Sequence, residues 1–174
     1  MSILPVAAKE YVGLETETEL ACDEVERGAV RRYSQAIMDD DPVFAGGKVA
    51  QERYGSAVAP LLFPTHMFRR NFGEPDPLRE SEVNPDYDGS GLSSTQGLPP
   101  IEPLQHLSIL NGGSDIEFYR HAHHGEKVKL RSRYSSIVEK ESSKGPMVIV
   151  TIESDYLNGD DALLCRVRRT YIRR

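Results

Sequence analysis

The chain has 174 residues, of which 39% are hydrophobic and 28% are charged, and its formal net charge is −6. This length is typical of one domain with a single hydrophobic core. The acidic balance argues against a nucleic-acid-binding protein, because such proteins usually have a basic excess or a dense basic patch.

The two cysteines, Cys22 and Cys165, are far apart in the sequence, which excludes a disulfide framework and a zinc site built on paired cysteines. No apolar stretch approaches the ~18 residues that a membrane span needs, and no basic segment precedes an apolar run at the N-terminus. We therefore predict a cytoplasmic protein that does not cross a membrane and uses no metal or other cofactor.

The first predicted elements are a strand at residues 17–24 and a helix at residues 26–39. Apolar residues recur in this helix at a spacing of three to four, which indicates one buried face. They are Val30, Tyr33, Ile37 and Met38. Pro42 cannot donate a backbone hydrogen bond and restricts Asp41, so the helix is predicted to end near Asp40.

A short helix is predicted at residues 48–54, where Gly55 ends it, and a further helix at residues 65–72, beginning at Thr65 or at the preceding proline. Residues 73–100 are rich in Pro, Gly, Ser and Asp, which disfavours regular structure. This segment is predicted to be a long surface loop that lies over a groove or a partner, or else a disordered stretch.

The second half of the sequence alternates apolar and polar residues at a period of two, which is typical of strands with one buried face. The apolar positions are Val128, Leu130 and Tyr134, then Val148, Val150, Ile152 and Tyr156, then Leu163, Cys165, Val167 and Tyr171. Turns are predicted at residues 142–146 and 158–160. Upstream, residues 107–111 and 116–119 are predicted as strand segments on either side of a kink at Gly112 and Gly113.

These elements indicate an α+β fold in which a curved antiparallel sheet wraps a helix, for which residues 63–72 are the best candidate. We expect one domain over residues 1–174, with residues 73–100 as a loop insertion. A curved sheet leaves an edge strand, so pairing with a second copy or with a homologous subunit is expected.

Several motifs give the sequence a family likeness. The segment YSQAIMDDDPVF at residues 33–44 is followed by YG at 54–55, VAP at 58–60, FPT at 63–65, LNGG at 110–113, IEFYR at 116–120 and GEKV at 125–128. Together these segments resemble MaoC-like dehydratases, and in particular the N-terminal, non-catalytic halves of that family, over roughly residues 9–173. The resemblance implies a hot-dog fold.

The catalytic half of that family is characterised by an Asp, then x-Asn-Pro, one aliphatic residue and a His. The resemblance places Asp39 at the acid position, Asp41 at the Asn position and Phe44 at the position of the His. The hydratase reaction needs one group to hold water and another to move the α-proton, and phenylalanine transfers no proton. This departure argues against a hydratase that works alone.

Candidate substrate-binding residues are Asp39, Pro42, Phe44, Pro60, His66, Asn111, Gly112 and Gly113. Asp39 is interpreted either as a residue that orients water or as a turn residue at a helix end. His66 is either a structural histidine or a replacement for the missing base, and these two are the only catalytic candidates. The glycine pair either presents backbone N–H groups to a thioester or forms a plain sheet bulge.

Two other clusters have alternative readings. His121, His123 and His124 with nearby Glu117 and Glu126 have ligand chemistry but no fixed metal-binding spacing, so we predict no metal site. The C-terminal arginines are read either as one solvated strand face or as a site for an anionic group such as a CoA phosphate. They are Arg166, Arg168, Arg169, Arg173 and Arg174.

His106 is assigned to a strand start without a function.

The leading hypothesis is an acyl-thioester-binding subunit of a heteromeric (R)-specific enoyl-CoA hydratase or 3-hydroxyacyl-thioester dehydratase. The substrate would be carried on CoA or on acyl-carrier protein, and a homologous hot-dog partner would supply the catalytic Asp and His. The alternatives are a homodimeric acyl-CoA-binding module without turnover and an atypical dehydratase or thioesterase that uses His66 or Asp39.

Overall fold

The computed structural model describes residues 2–68, 73, 79–84 and 97–174. Within these ranges, one antiparallel sheet dominates the second half of the chain. Its strands are β1 (Glu19–Leu20), β2 (Ile109–Phe118), β3 (Val128–Ser142), β4 (Gly145–Asn158) and β5 (Leu163–Arg173), in the spatial order β1-β3-β4-β5-β2. The two edges of the sheet are therefore the two-residue β1 and the ten-residue β2.

The inner face of the sheet carries the apolar residues that the alternation predicted. Val128, Leu130 and Tyr134 of β3 are buried, and Val148, Val150, Ile152 and Tyr156 of β4 are buried with them. On β5, Cys165 and Val167 are buried while Leu163 and Tyr171 are half-buried. Alternation thus predicted the buried face of β3 and β4, because successive side chains of a strand point to opposite sides of the sheet. On β5 it missed Leu164, which is fully buried.

The outer face of the sheet carries a ladder of charged side chains. Glu153, in the middle of β4, accepts hydrogen bonds from Arg133 Nη2 on β3 at 2.5 Å and from Arg168 Nε on β5 at 2.7 Å. Arg168 also pairs with Glu117 on β2. Arg166 of β5 makes a two-pronged contact with Asp155 at 2.6 and 2.8 Å. Opposite charges on adjacent strands thus connect four strands across this face.

The helices in the described ranges are short and lie before β2 in sequence. They are α1 (Val6–Lys9), α2 (Arg27–Ala36), α3 (Lys48–Tyr54) and α4 (Glu80–Val83), with 3₁₀ turns at Pro42–Phe44, Phe63–His66 and Glu102–Leu104. The predicted helix at residues 48–54 is confirmed, with Gly55 in the left-handed conformation at its end, at φ 77°. None of these helices is long and apolar enough to cross a membrane.

Helix α2 differs from its prediction at the C-terminal end. It stops at Ala36 rather than near Asp40, because Met38 adopts a positive φ of 56° that no α-helix continues through. Ile37 and Met38 are consequently exposed, at 46% and 91%, and do not belong to the buried face. That face consists of Val30 and Ser34, with Tyr33 half-buried beside them.

The segment predicted as the wrapped helix is only partly within the described ranges. Residues 63–66 form a 3₁₀ turn instead of the start of an α-helix, and residues 69–72 lie outside the description. Phe63, Met67 and Phe68 pack onto the inner face of the sheet, where the Phe68 ring meets Tyr156 edge-on at 5.6 Å. This segment therefore occupies the concave side of the sheet, as predicted for the wrapped element.

Other sequence predictions need smaller corrections. The strand predicted at 17–24 is reduced to Glu19–Leu20, both exposed at the sheet edge. His106 lies in a turn before β2 and not at a strand start. The predicted loop 73–100 contains one helical turn, α4, and most of its remaining residues lie outside the described ranges.

Candidate functional site

The turn after α2 is built from three consecutive aspartates and a proline. The backbone N–H of Asp39 donates to the Ser34 carbonyl at 3.0 Å, and Asp39 Oδ1 accepts from the Asp41 N–H at 3.3 Å. Asp41 Oδ1 in turn caps the 3₁₀ turn by accepting from the Val43 N–H at 3.1 Å, with Pro42 at its first position. Asp39 therefore makes the turn contact that one of its two interpretations predicted.

A groove of about 520 Å³ runs along α2 and ends at this turn. Its lining residues are Arg27, Arg31, Ser34, Gln35, Met38, Asp39, Asp40, Asp41, Phe44 and Ala45. Asp39 and Phe44, which the sequence motif places at the acid and histidine positions, thus share one groove. The described lining contains no histidine.

Phe44 is half-buried and belongs both to the groove wall and to the core. Its ring packs against the cluster around Val30 and against a second cluster formed by Val43, Ala50 and Val58. On its other side lies the ring of His121, 6.4 Å away between centroids. One side chain therefore belongs to both the groove wall and the core.

Three other sequence candidates do not line this groove. Pro60 is buried in a turn, where its carbonyl accepts from the Phe63 N–H at 2.8 Å. His66 is exposed and lines a separate groove of about 400 Å³, where its ring meets Tyr33 edge-on at 4.8 Å. Pro42 is exposed in the turn between Asp41 and Val43.

The Asn111-Gly112-Gly113 segment lies on the edge strand β2 and forms a bulge against Thr170 of β5. A Cβ on Gly112 would lie 2.9 Å from both the Thr170 carbonyl oxygen and its side chain, so this close approach requires glycine. The Gly113 N–H donates to Asn111 Oδ1 at 2.9 Å. The predicted bulge is thus present, and the predicted contact of these N–H groups with a thioester stays a prediction.

The histidines after β2 are held by hydrogen bonds within the chain. His121 Nδ1 lies 2.8 Å from the Ala59 carbonyl, and His123 Nδ1 lies 2.6 Å from Ser56 Oγ. His124 Nε2 is buried without a hydrogen-bond partner in the described part of the chain. Burial lowers the pKa of His124, and the positive charge of Arg27 lowers it further.

A third groove, of about 510 Å³, lies at the end of β2 next to these histidines. It is lined by Tyr54, Leu61, Phe118, Tyr119, Arg120, His121 and His123. His121 is therefore separated from the Asp39 groove by the Phe44 ring.

Sequence reasoning did not single out Ser34, Arg27 or Arg31, which form much of the wall of the Asp39 groove. Ser34 stands four residues after the buried Val30, so helical spacing alone places it on the buried face. A serine on an apolar helix face was the available signal. The two arginines carried no comparable signal, because exposed arginines on helices are common.

A family profile described as FAS1-like, dehydratase domain region, matches residues 10–167 of the chain. No protein of curated function matches the sequence significantly.

Solved structures resemble the chain over nearly its whole length. In the ChsH1-ChsH2 complex from Mycobacterium tuberculosis, the matching chain has a TM-score of 0.68 and 15% identity, with 95% of this chain and 88% of that chain covered. The HadBC (3R)-hydroxyacyl-ACP dehydratase complex from the same organism has a TM-score of 0.52 and 18% identity, with 92% and 96% covered. The (R)-hydratase of A. caviae involved in PHA biosynthesis has a TM-score of 0.57 and 11% identity, with 92% and 94% covered.

At these identities the likeness establishes the fold. The curved five-stranded antiparallel sheet is that of the hot-dog fold, and the predicted fold class is confirmed.

Proposed function

This chain belongs to the family described as FAS1-like, dehydratase domain region, and has the hot-dog fold, and from that premise we propose that it is the acyl-thioester-binding subunit of a heteromeric enoyl-thioester hydratase or dehydratase. In this proposal the chain forms one wall of the acyl pocket. A homologous hot-dog subunit supplies the catalytic Asp and His. The substrate is an acyl thioester of CoA or of acyl-carrier protein.

The chemistry of the reaction sets what a catalytic groove must contain. Hydration of an enoyl thioester adds water at Cβ and a proton at Cα, so one side chain must hold and deprotonate water while a proton reaches Cα. Backbone N–H groups stabilise the negative charge that develops on the thioester oxygen. A carboxylate and an imidazole close together can supply the proton transfers.

One observation supports the division of labour between subunits. Phe44 stands in the Asp39 groove at the position where the family resemblance places the histidine, and the described lining contains no imidazole. The benzene ring has no titratable proton, but its apolar surface suits an acyl chain. The groove therefore has the features of a binding wall without a complete proton relay.

The sheet edge and the similar structures support a partner of the same fold. β2 is a ten-residue edge strand, and Ile116, Phe118 and Tyr119 at its end are 37%, 43% and 51% exposed. Exposed edges with apolar side chains are usually covered by another chain. Two of the similar structures are complexes of two differently named proteins, ChsH1-ChsH2 and HadBC.

The test compares the full chain alone with the chain mixed with a hot-dog subunit that carries an intact Asp-x-Asn-Pro-x-His motif, copurified from the same host. We expect the chain alone to bind octanoyl-CoA in a calorimetric titration but not to hydrate octenoyl-CoA. We expect hydration only in the mixture. Turnover of octenoyl-CoA by the chain alone would overturn the proposal, as would absence of acyl-CoA binding in both samples.

A matched pair of variants locates the binding surface. Phe44→Ala removes apolar area from the groove and should weaken octanoyl-CoA binding about tenfold, since burial of aromatic surface contributes on the order of 1–2 kcal/mol. Phe118→Ala removes an aromatic ring outside this groove and should leave the affinity unchanged. Equal effects of the two substitutions would count against the Asp39 groove as the acyl site.

A further inference from the structure

We infer that Ser34, to which the family resemblance assigns no role, is a positioning residue that hydrogen-bonds the carbonyl oxygen of a thioester bound in the Asp39 groove. This inference rests on the proposed function and specifies how its ligand is held. It follows from the state of one hydroxyl group and from the order of side chains along α2.

The Ser34 hydroxyl is buried and has no hydrogen-bond partner in the described part of the chain. Its side chain lies on the buried face of α2, where the residue is 8% exposed. A serine inside a helix commonly bonds the carbonyl three or four residues earlier, and Ser34 does not. A buried hydroxyl without a partner is unfavourable, so its retention calls for a partner that binds from outside the chain.

Ser34 also lines the groove that contains Asp39 and Phe44. Rotation about its Cα–Cβ bond moves the oxygen among three staggered positions without moving the helix. A ligand oxygen in the groove is therefore within reach of the one lining hydroxyl whose hydrogen-bonding capacity is unused in the described structure. The ligand must offer an acceptor at the level of Ser34.

The order of side chains along the groove fixes which part of a thioester meets Ser34. Arg27 and Arg31 lie one to two turns before Ser34, about 10 Å of helix for the more distant arginine, and form a cationic end. Met38 and Phe44 lie after Ser34 and offer apolar surface, while Asp39, Asp40 and Asp41 repel anions there. An anionic carrier at the arginine end and an acyl chain at the Phe44 end place the thioester carbonyl between them.

Met38 supports a ligand site at this end of the groove. It is the large side chain at the lip, 91% exposed, and its backbone has the left-handed φ of 56° that costs a non-glycine residue about 1 kcal/mol. Strained backbone conformations cluster at functional sites. The Met38 side chain lines the groove beside the proposed path of the acyl chain.

The experiment is a double cycle on Ser34 and on the ligand carbonyl. Calorimetry measures binding of octanoyl-CoA and of S-octyl-CoA, a thioether that lacks the carbonyl, to the full chain and to the Ser34→Ala variant. We expect the full chain to prefer the thioester by roughly threefold to tenfold, the range for one hydrogen bond, and the variant to show no preference. Ser34→Thr, which keeps a hydroxyl, should restore part of the preference.

Thermal unfolding without ligand separates this role from a structural one. Ser34→Ala should leave the unfolding temperature unchanged or raise it, because the lost hydroxyl was unpaired. Ser56→Ala, which removes a hydroxyl paired with His123, should lower it without changing ligand preference. If the full chain binds octanoyl-CoA and Ser34→Ala weakens both ligands equally or neither, the inference is wrong while the proposed function stands. If neither ligand binds to the full chain or to its mixture with the catalytic subunit, both are wrong.

Discussion

The ring of Phe44 lies 6.4 Å from the ring of His121 and is inclined to it by 54°. His121 is itself fixed, because its Nδ1 lies 2.8 Å from the Ala59 carbonyl and its ring meets Tyr54 at 5.0 Å. Phe44 is thus supported from behind by an imidazole that faces a different groove. The wall at the histidine position of the motif is a packed part of the structure.

Truncating this wall should therefore cost stability. We expect Phe44→Ala to lower the free energy of unfolding by about 2 kcal/mol, less than for a fully buried phenylalanine because the ring is half-exposed. Urea denaturation measures the change. Phe118→Ala, at a side chain that is 43% exposed, should lower it by about 1 kcal/mol or less. A Phe44 variant as stable as the parent would contradict the packing of this ring against the core.

The cationic end of the groove leads to a prediction about ligand charge. Replacing Arg27 and Arg31 together by glutamine should weaken octanoyl-CoA binding roughly threefold to tenfold, since exposed charge pairs contribute about 0.2–1 kcal/mol each. Octanoyl-pantetheine, which lacks the phosphates of CoA, should bind both proteins equally. Arg32→Gln is the control, because Arg32 lies on the same helix but lines the His66 groove.

Calorimetric titrations at two salt concentrations check this prediction, since screening should reduce the difference between the variant and its parent. If the double variant loses the same affinity for octanoyl-CoA and for octanoyl-pantetheine, the arginines do not bind the phosphates.

The sheet could be predicted from the sequence because a period of two reports directly which side chains are buried. The helix Lys48–Tyr54 could be predicted equally well, since Gly55 supplies the left-handed residue that ends it. The end of α2 could not, because Met38 at a positive φ is a conformation that propensity assigns to glycine or asparagine. Local backbone hydrogen bonds at the helix end hold it, from the N–H groups of Met38 and Asp39 to the carbonyls of Gln35 and Ser34.

The candidate site was only partly predictable for a related reason. Asp39 and Phe44 share a groove because they are five residues apart on either side of one turn, which a local motif describes. His121 contacts Phe44 and Ala59 only after the segments around Val58 and His123, far apart in sequence, have paired, and no local pattern reports that contact. Ser34 was overlooked because a single serine on the apolar face of a helix is common and does not by itself indicate a function.

The charged ladder on the outer face predicts a large effect at its centre. The Glu153 carboxylate is 6% exposed and faces Arg133 at 2.5 Å, Arg168 at 2.7 Å and Arg166 at 3.6 Å. Glu153→Gln leaves these arginines without their shared counter-charge and should destabilise the chain by about 2 kcal/mol, at the low end for buried pairs because the arginines are partly exposed. Chemical denaturation checks the value.

Glu117→Gln provides the comparison on the same face, because Glu117 is 47% exposed at the sheet edge. Exposed ion pairs contribute little, so this substitution should change stability by less than about 1 kcal/mol. A Glu117 effect as large as the Glu153 effect would show that burial does not set the strength of the ladder.

The bulge in β2 predicts that Gly112 tolerates no side chain. In Gly112→Ala the new Cβ would meet the Thr170 carbonyl oxygen at 2.9 Å, so β2 must move away from β5. We expect a loss of about 1–3 kcal/mol, as for overpacking in a core. Gly159→Ala, in the hairpin between β4 and β5, meets no atom within 4 Å and should be neutral or slightly stabilising. Thermal unfolding of both variants distinguishes close approach from a general cost of replacing glycine.

His124 predicts how stability depends on pH. Burial of the imidazole lowers its pKa in the folded chain, and Arg27 and His123 lower it further, below the ordinary value of 6.5. Below pH ~6.5 His124 binds a proton in the unfolded chain but not in the folded chain. Stability therefore falls as pH decreases from 6.5 toward the lower folded pKa. Above pH ~7 this contribution is constant.

His124→Leu should remove up to about 1.4 kcal/mol per pH unit from that slope, because one proton no longer distinguishes the two states. His106→Leu, at an exposed turn position, is the matched control for replacing a histidine by leucine. The free energy of unfolding in urea between pH 5 and pH 8 measures both slopes. An unaltered slope in the His124 variant would mean that the acid sensitivity comes from other groups. It would also mean that protonating the buried His124 ring does not destabilise the folded chain.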